Sequence, residues 1–433
     1  MNCTYRSIWN DKTATFVAVS ENASGAGKKT SSRATATAPA CGERDSFALK
    51  VLALSLLLSF GASVYALPVG GVVAAGAASI SSGAGSTTIN QSTQNAALNW
   101  QSFNIAAGEA VRLVQPNSSS VILNRVLGAD PSSILGNLSA NGKVFLVNPN
   151  GILFGQGASV NVGGLVASTL NLSDSDFMAG RYRFGGAGAG TVLNQGAINA
   201  NGGYVALLGA NVSNDGNIVA NLGTVALVAG KAITLDVAGD GLLHVMVDQG
   251  AVNALVQNGG LIQADGGQVL LTAQSASSLL PSAVNNTGVI RAQTLVTGEN
   301  GSIMLMGDMQ SGTVNVGGTL DASAPNGGNG GFIETSAAHV KVADDARITT
   351  LASAGKTGTW LIDPQDFTVG TGGDILGTTL EGQLITNSVV ISTVTTGVNT
   401  PPTNYFGVAN GVGDINVNDA LTWTASGAPT TLT

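Results

Sequence analysis

The residue types that usually carry catalysis are few and scattered in this 433-residue sequence. Its two histidines, His244 and His339, lie far apart along the chain. No H-x-x-x-H, C-x-x-C, G-x-S-x-G or phosphate-loop pattern places a nucleophile, a base or metal ligands at working spacing. The sequence therefore predicts no catalytic residues, no cofactor and no metal site, and we do not expect an enzyme.

Acidic side chains are the remaining candidates for chemistry. Asp344 with Asp345, and Asp363 with Asp366, could bind Ca²⁺, because hard cations prefer carboxylate oxygens. The segment NGGNGGF at 326–332 is similar to a calcium-binding glycine repeat but lacks its aspartate, and we expect a loop there. A β-helical polysaccharide lyase stays an alternative only if carboxylates and basic residues gather on one face.

A sequence repeat supplies the elements that would position these residues. The unit N-x-G-x-I-x-A-x-x-G-x-V-x-L, about 20 residues long, starts at Asn194, Asn214, Asn258 and Asn286, with a weaker copy at Gly318. Its alternating apolar residues place one row on the inner face of short strands. Glycine and asparagine suit the corners between the strands. One unit cannot bury its apolar face alone, whereas stacked coils can.

We therefore predict an all-β chain, a right-handed parallel β-helix of about 15–18 coils, each adding roughly 4.8 Å. A β-sandwich would not predict the same motif recurring in register. The intervals 174–190 and 231–257 interrupt the spacing, which indicates short extra-helical β excursions.

Residues 51–66 have the features of a signal peptide. Their apolar core of about ten residues is too short to span a membrane, and Lys50 precedes it. The small-x-small pattern that ends at Ala66 predicts cleavage between Ala66 and Leu67. A cleaved signal peptide therefore precedes the β-helix.

Cleavage at that point changes the composition of the chain. Cys3 and Cys41 are lost, so the mature chain has no cysteine, which suits a chain that crosses a second membrane in an extended state. Ten basic and twenty-one acidic residues remain, a formal charge of −11. This charge argues against nucleic acid as a partner.

The region before the signal peptide resembles the extended signal peptide region of very large exported proteins of Gram-negative bacteria. The residues that carry this resemblance are Met1, Asn2, Tyr5, Arg6, Trp9, Asn10, Val17, Ala18, Val19, Ser20, Glu21, Gly25, Gly27 and Lys28. The leader then divides into an extended region at 1–29, a spacer and n-region at 30–50, and the h-region and cleavage site at 51–66. The resemblance implies slowed targeting to the Sec machinery, followed by signal peptidase.

Residues 90–172 resemble the N-terminal secretion domain of filamentous haemagglutinin-like exoproteins, the substrates of two-partner secretion. The resemblance is carried by Trp100, Phe103, Asn104, Ile105, the run VILNRV at 121–126, Gly128, Pro131, Ile134, Gly136, Leu138, Asn141, Gly142, the run NPNGI at 148–152, Gly155, Gly164, Leu165 and Ala167. It implies a β-helical secretion domain over 67–310, recognised by a cognate outer-membrane β-barrel transporter with periplasmic receptor domains. The product would be secreted or held at the cell surface.

Two turns of this region are the expected secretion sites. The first is the secretion motif Asn148, Pro149, Asn150, Gly151 and Ile152. The second is the turn Gln115, Pro116, Asn117 and Ser118, where the family has Asn-Pro-Asn-Leu. Proline presets φ for a turn and Asn-Gly tolerates left-handed geometry, so the first motif also fits a tight corner of an early coil.

Residues 311–433 are expected to begin a β-helical stalk. The segment GTWLIDPQDFTV at 358–369 resembles a motif of large adhesins of the same group, and we expect Trp360 to pack at a corner there. The chain ends in an alternating run without a polar cap, which favours a fragment of a longer protein. An adhesin of filamentous haemagglutinin type is the expected function, with an unknown receptor. The alternatives are a cytolysin, a contact-dependent toxin carrier and a haem- or iron-acquisition protein.

Overall fold

A computed structural model describes residues 5–10, 15–20, 67–186, 188, 190–237, 243–277, 279–295, 300–393 and 412–433. The chain forms two compact units, Met1–Ser59 and Phe60–Thr433. In the first unit β1 (Tyr5–Asn10) pairs antiparallel with β2 (Thr15–Ser20). The predicted h-region and Ala66 lie outside the described residues, and Leu67 is the first residue of the long described segment.

Short strands make up most of the second unit. In chain order they are β3 (Val72–Ala75), β4 (Ala78–Gly83), β5 (Ser86–Gln91), β6 (Asn95–Trp100), β7 (Ala110–Val114), β8 (Val121–Val126), β9 (Ser132–Ile134), β10 (Asn137–Ala140), β11 (Lys143–Val147), β12 (Ile152–Phe154), β13 (Ser159–Asn161), β14 (Gly164–Ser168), β15 (Tyr182–Gly185), β16 (Thr191–Asn194), β17 (Ala197–Asn199), β18 (Tyr204–Gly209), β19 (Asn211–Asn214), β20 (Asn217–Val219), β21 (Thr224–Ala229), β22 (Ala232–Val237), β23 (Leu243–Gln249), β24 (Leu255–Asn258), β25 (Leu261–Gln263), β26 (Gln268–Ala273), β27 (Ser282–Asn286), β28 (Val289–Arg291), β29 (Ser302–Met306), β30 (Gly312–Val316), β31 (Thr319–Asp321), β32 (Phe332–Ser336), β33 (His339–Val342), β34 (Arg347–Thr349), β35 (Thr359–Asp363), β36 (Phe367–Val369), β37 (Ser388–Ile391) and β38 (Ile415–Val417). The helices are α1 (Asp174–Met178) and α2 (Gly377–Leu384).

Three long sheets make up most of this unit. Sheet I has the order β3-β6-β8-β11-β14-β18-β21-β26-β29-β32-β35-β37, sheet II the order β4-β5-β7-β10-β13-β17-β20-β25-β28-β31-β34, and sheet III the order β9-β12-β16-β19-β24-β27-β30-β33. Consecutive strands such as β10, β11 and β12 enter sheets II, I and III in turn, and each pairs in parallel with its counterpart one coil away. The predicted parallel β-helix is confirmed.

Equivalent residues of the sequence repeat pair with one another in successive coils of the structure. Ile198, Ile218, Ile262 and Ile290 lie in register in sheet II, and all four are buried. The repeat's asparagines form a buried ladder at a corner. Asn194 Nδ2 donates to Asn214 Oδ1 at 2.7 Å, and the next two steps of the ladder measure 2.8 Å. Each amide thus satisfies its neighbour inside the core, where an unpaired polar group would be costly.

The two predicted excursions are confirmed, and the structure joins them. Strand β15, from the first excursion, pairs antiparallel with β22 from the second, and β22 continues antiparallel into β23. This small sheet covers the outer face of sheet I with a second apolar cluster, which includes Phe145, Phe177, Phe184 and Tyr204. The excursions therefore add a second packed layer to the middle coils.

The coil count differs from expectation, and an unpredicted helix packs at the end of sheet II. In the described part of the chain, sheet I has eleven parallel strands besides the antiparallel β3, fewer than 15–18, because coils with excursions are longer than the repeat unit. Helix α2 closes the end of sheet II: Gln383 Oε1 accepts from Ile348 N at 3.0 Å, and Gln383 Nε2 donates to Ala346 O at 2.9 Å. This helix was not predicted from the sequence. No helix among the described residues is long and apolar enough to cross a membrane.

Candidate functional site

The Asn148–Ile152 turn forms the corner between β11 of sheet I and β12 of sheet III. Asn148 is fully buried, and its Nδ2 donates to Asp130 O and Ser132 Oγ, each at 3.0 Å. Its Oδ1 accepts from Asn150 N at 3.0 Å, an Asx turn. The Asn148 side chain therefore fixes this turn and ties it to the preceding coil.

Glycine is required at the next corner position. Gly151 has φ +125°, a conformation that side-chain-bearing residues rarely adopt. Its N–H donates to Asn148 O at 3.1 Å, and its carbonyl accepts from Ser132 N at 2.9 Å. Ile152 then enters the core and pairs with Val192 of the following coil. Pro149 is half-buried, and its carbonyl accepts from Gly190 N at 3.2 Å.

Asn150 is the exposed member of the motif. Its Nδ2 donates to Gly128 O at 2.9 Å, which bends the side chain toward the loop that follows β8. Beside it lies an open cleft of about 400 Å³, lined by Arg125, Val126, Leu127, Gly128, Ala129, Pro149, Asn150 and Asn171. Leu127 is 64% exposed at this surface. The turn thus presents one amide and an apolar side chain beside a cleft.

Arg125 connects this cleft to the first excursion. Its guanidinium forms an ion pair with Asp174 at 2.7 Å and donates to Asn99 Oδ1 and Asn171 Oδ1, each at 3.1 Å. It also donates to the Leu172 carbonyl. This role could not be predicted from the VILNRV run, because most of the partners lie more than 40 residues away in the sequence.

The Gln115–Ser118 turn lies at a different corner, between β7 of sheet II and β8 of sheet I. Gln115 is buried, and its Nε2 donates to Gln91 Oε1 and Ser120 O at 3.1 Å and to Lys143 O at 3.3 Å. Its Oε1 accepts from Gly142 N at 2.9 Å. One side chain thereby joins three successive coils.

The other residues of this turn are exposed. Asn117 Oδ1 accepts from Ser119 N at 3.0 Å, and its Nδ2 donates to Gln94 Oε1 at 3.0 Å. Pro116 and Ser118 also face solvent. Next to the turn, the Lys143 ammonium lies 5.2 Å from the centre of the Tyr204 ring, and burial lowers the pKa of Lys143. The structure does not bring the two turns together at one corner.

The remaining candidates for chemistry are dispersed. His244 and His339 lie on the exposed sides of β23 and β33, and Asp344 and Asp345 are exposed in a loop. Asp366 Oδ1 accepts from Gly413 N at 2.8 Å and Asp414 N at 3.0 Å, so backbone amides occupy it. Within the described ranges, no three His, Cys, Asp or Glu side chains come together as metal ligands would.

Comparison with known proteins assigns this architecture to a family. Residues 65–322 match the family model described as the TPS secretion domain. Residues 1–49 match the model described as the extended signal peptide of the type V secretion system. The two matches cover the leader and most of the β-helix.

Similar proteins come from Haemophilus influenzae. A heme/hemopexin-binding protein of strain ATCC 51907 / DSM 11121 / KW20 / Rd is 37% identical over 276 residues, which are 60% of this chain and 30% of that protein. A second heme/hemopexin-binding protein of this species is 33% identical over 244 residues, 51% of this chain and 26% of that protein. This chain therefore spans less than a third of the length of these relatives.

The fold is also similar to that of a solved secretion domain. The crystal structure of the HMW1 secretion domain from Haemophilus influenzae superposes with a TM-score of 0.58 at 24% sequence identity, covering 84% of this chain and all of that one. The chain belongs to the TPS secretion domain family: it is a two-partner secretion exoprotein, which its extended signal peptide directs to Sec export and which a cognate outer-membrane transporter delivers to the cell surface or the extracellular space.

Proposed function

We propose that the transporter recognises this exoprotein through the Asn148–Ile152 turn, by means of periplasmic receptor domains. The proposal rests on the different burial of the residues within the turn. Asn148, Gly151 and Ile152 are buried and fix the corner, whereas Asn150 is exposed beside the cleft. A receptor that binds this turn would therefore meet Asn150 and Leu127.

Export from the native cell tests this proposal. We expect Asn150→Ala to lower the amount of protein in the medium and on the cell surface while synthesis stays unchanged. Ser118→Ala is the matched control, because Ser118 is an exposed residue of the other turn. Normal export of Asn150→Ala would contradict the proposal. Loss of export on deletion of the transporter gene would show that the assay follows the two-partner route.

The leader contributes a second proposal. Signal peptidase would cut between Ala66 and Leu67, just before the β-helix begins at Val72. Amino-terminal sequencing of the exported protein should therefore start at Leu67. A start inside the β-helix strands would show that the cleavage site lies elsewhere.

The output of the exported protein is proposed as adhesion, following its resemblance to filamentous haemagglutinin-like exoproteins. Binding of haem or of a haem carrier is the second candidate, favoured by the relatives that are named heme/hemopexin-binding proteins. Both activities can be measured on the exported protein, as adherence to host cells and as binding of haemin and of haemopexin. Haemopexin binding without adherence would replace the first candidate by the second.

A further inference from the structure

Two carboxylates lie on the outer face of sheet I near its C-terminal end. Glu334 is in β32 and Asp363 in β35, which pair in parallel with Ser336 opposite Asp363. Ile333, Trp360 and Ile362 are in the β-helix core. Because side chains alternate along a strand, Glu334 and Asp363 lie on the opposite, outer face.

Both carboxylates have an oxygen without a partner. Glu334 is 0% exposed, and its Oε1 accepts from Ser336 Oγ at 2.9 Å. Glu334 Oε2 and Asp363 Oδ1 are buried, with no hydrogen bond within the described part of the chain. A buried ionised carboxylate without a partner is costly, so each group gains from holding a proton.

The neighbouring elements supply no cation to the pair among the described residues. The Met304 and Met306 positions of β29 flank Glu334 and Ser336 in register. Lys341 of β33 pairs with Asp374 at 2.6 Å, and His339 is exposed.

Two further acids lie in the loops that follow β29 and β35. Asp308 Oδ1 accepts from Gln310 N at 2.7 Å, and Asp366 Oδ1 accepts from the Gly413 and Asp414 amides. Both loop acids thus accept hydrogen bonds from backbone amides of their own loops or of the segment at 413–414.

The direction of the titration follows from this setting. Burial raises the pKa of Glu334 to about 7, with the nearby Asp363 charge adding to the rise, and burial raises the pKa of Asp363 to about 6. Both acids have pKa values near 4 in an unfolded chain. The folded state therefore holds more protons between about pH 4 and 7, and its stability falls as the pH rises through that window.

We propose that Glu334 and Asp363 form a pH-sensitive device. It stabilises the coils of β32, β35 and β37 in acid and destabilises them as the pH rises to neutrality. The middle coils, covered by the excursion sheet, lie outside its reach.

Hydrogen exchange of the full chain, followed by mass spectrometry at about pH 5 and about pH 7.5 and corrected for the intrinsic exchange rate, tests the device. For amides of β32 and β35 we expect the opening constant to rise about tenfold or more over this range, since a carboxyl whose pKa is higher by one binds its proton about ten times more tightly. Amides of β18 and β21 serve as the internal reference, and their opening constant should not change with pH.

Carboxyl-to-amide variants separate the device from a general effect of pH. In Glu334→Gln the opening constant should rise less, and at lower pH, than in the unmodified chain, because only Asp363 still titrates. In the double variant Glu334→Gln with Asp363→Asn the pH dependence should disappear, because neither amide titrates. Asp344→Asn, an exposed position between the same coils, should behave as the unmodified chain. If the double variant does not fold, Glu334→Gln and Asp363→Asn should each reduce the rise.

Three results would overturn the proposal. One is an opening constant of β32 and β35 that does not change with pH in the unmodified chain. Another is a pH dependence that the carboxyl-to-amide variants leave unchanged. The third is protection by CaCl₂ at neutral pH that Glu334→Gln abolishes, which would show that a bound metal ion, and not protonation, stabilises these coils.

Discussion

The two proline-containing turns of the secretion domain are fixed in the same way but differ in what they expose. In each, the residue before proline is buried and its side-chain amide bonds a backbone group of a neighbouring coil: Asn148 reaches Asp130, and Gln115 reaches Lys143. Gln115 also joins Gln91 of the preceding coil. The Gln115 turn is therefore a link between three coils.

The difference lies in what each turn leaves at the surface. The Asn148 turn includes a glycine at φ +125° and borders the cleft at Arg125. The Gln115 turn has neither feature. A proline–asparagine pair in the sequence thus indicates a corner, whereas recognition depends on what surrounds it.

The largest expected effect is the loss of stability when either buried side-chain amide, that of Gln115 or that of Asn148, is removed. Gln115→Ala should lower the free energy of unfolding by about 3 kcal/mol, because it removes hydrogen bonds to Gln91, Ser120 and Lys143 and leaves the buried Gly142 N–H unpaired. Asn148→Ala should cost about 2 kcal/mol, since its side chain bonds two backbone groups, Asp130 O and Asn150 N, whereas that of Gln115 bonds three. Denaturant unfolding of the secretion domain measures both. A larger cost for Asn148→Ala would contradict the view that Gln115 is the main link.

A glycine substitution tests the strain at only one of the turns. Gly151→Ala should destabilise the domain by about 1–3 kcal/mol, because an alanine at this φ is strained. The comparison variant Ser118→Ala, at the exposed end of the other turn, should change stability by less than about 0.5 kcal/mol. Equal midpoints for the two variants would show that the Gly151 corner relaxes without cost.

The smallest effect concerns the prolines. Pro149→Ala and Pro116→Ala should each cost roughly 0.4–1 kcal/mol, chiefly through the greater freedom of the unfolded chain. Because this mechanism acts in the unfolded state, the two costs should be similar despite the different surroundings. A much larger loss for Pro149→Ala would assign its ring a packing role beside the cleft.

Local sequence patterns predicted the coils. The features that were not predicted depend on contacts between segments far apart in the sequence. The N-x-G-x-I-x-A unit predicted sheet register because each residue meets its own copy one coil away, as in the ladder from Asn194 to Asn286. The pairing of β15 with β22 and the Arg125–Asp174 ion pair depend on segments without an internal repeat.

The cap by α2 and the buried Glu334 were missed for related reasons. Gln383 satisfies an edge strand about 35 residues upstream, and a glutamine in a short helix gives no signal of that role. Glu334 interrupts an alternating pattern without any local sign that its outer face is buried. The Asn148–Ile152 corner was predicted, whereas the cleft beside it was not, because its wall comes from three separate loops.

Export of two matched asparagine variants separates recognition from the presence of a turn. Asn150 and Asn117 both follow proline and are both exposed, one in each turn. If the transporter recognises the Asn148–Ile152 turn, Asn150→Ala should lower export about tenfold, the change that about 1.4 kcal/mol of lost recognition energy gives, while Asn117→Ala stays within about twofold. Equal export of the two variants would contradict recognition at the Asn148–Ile152 turn.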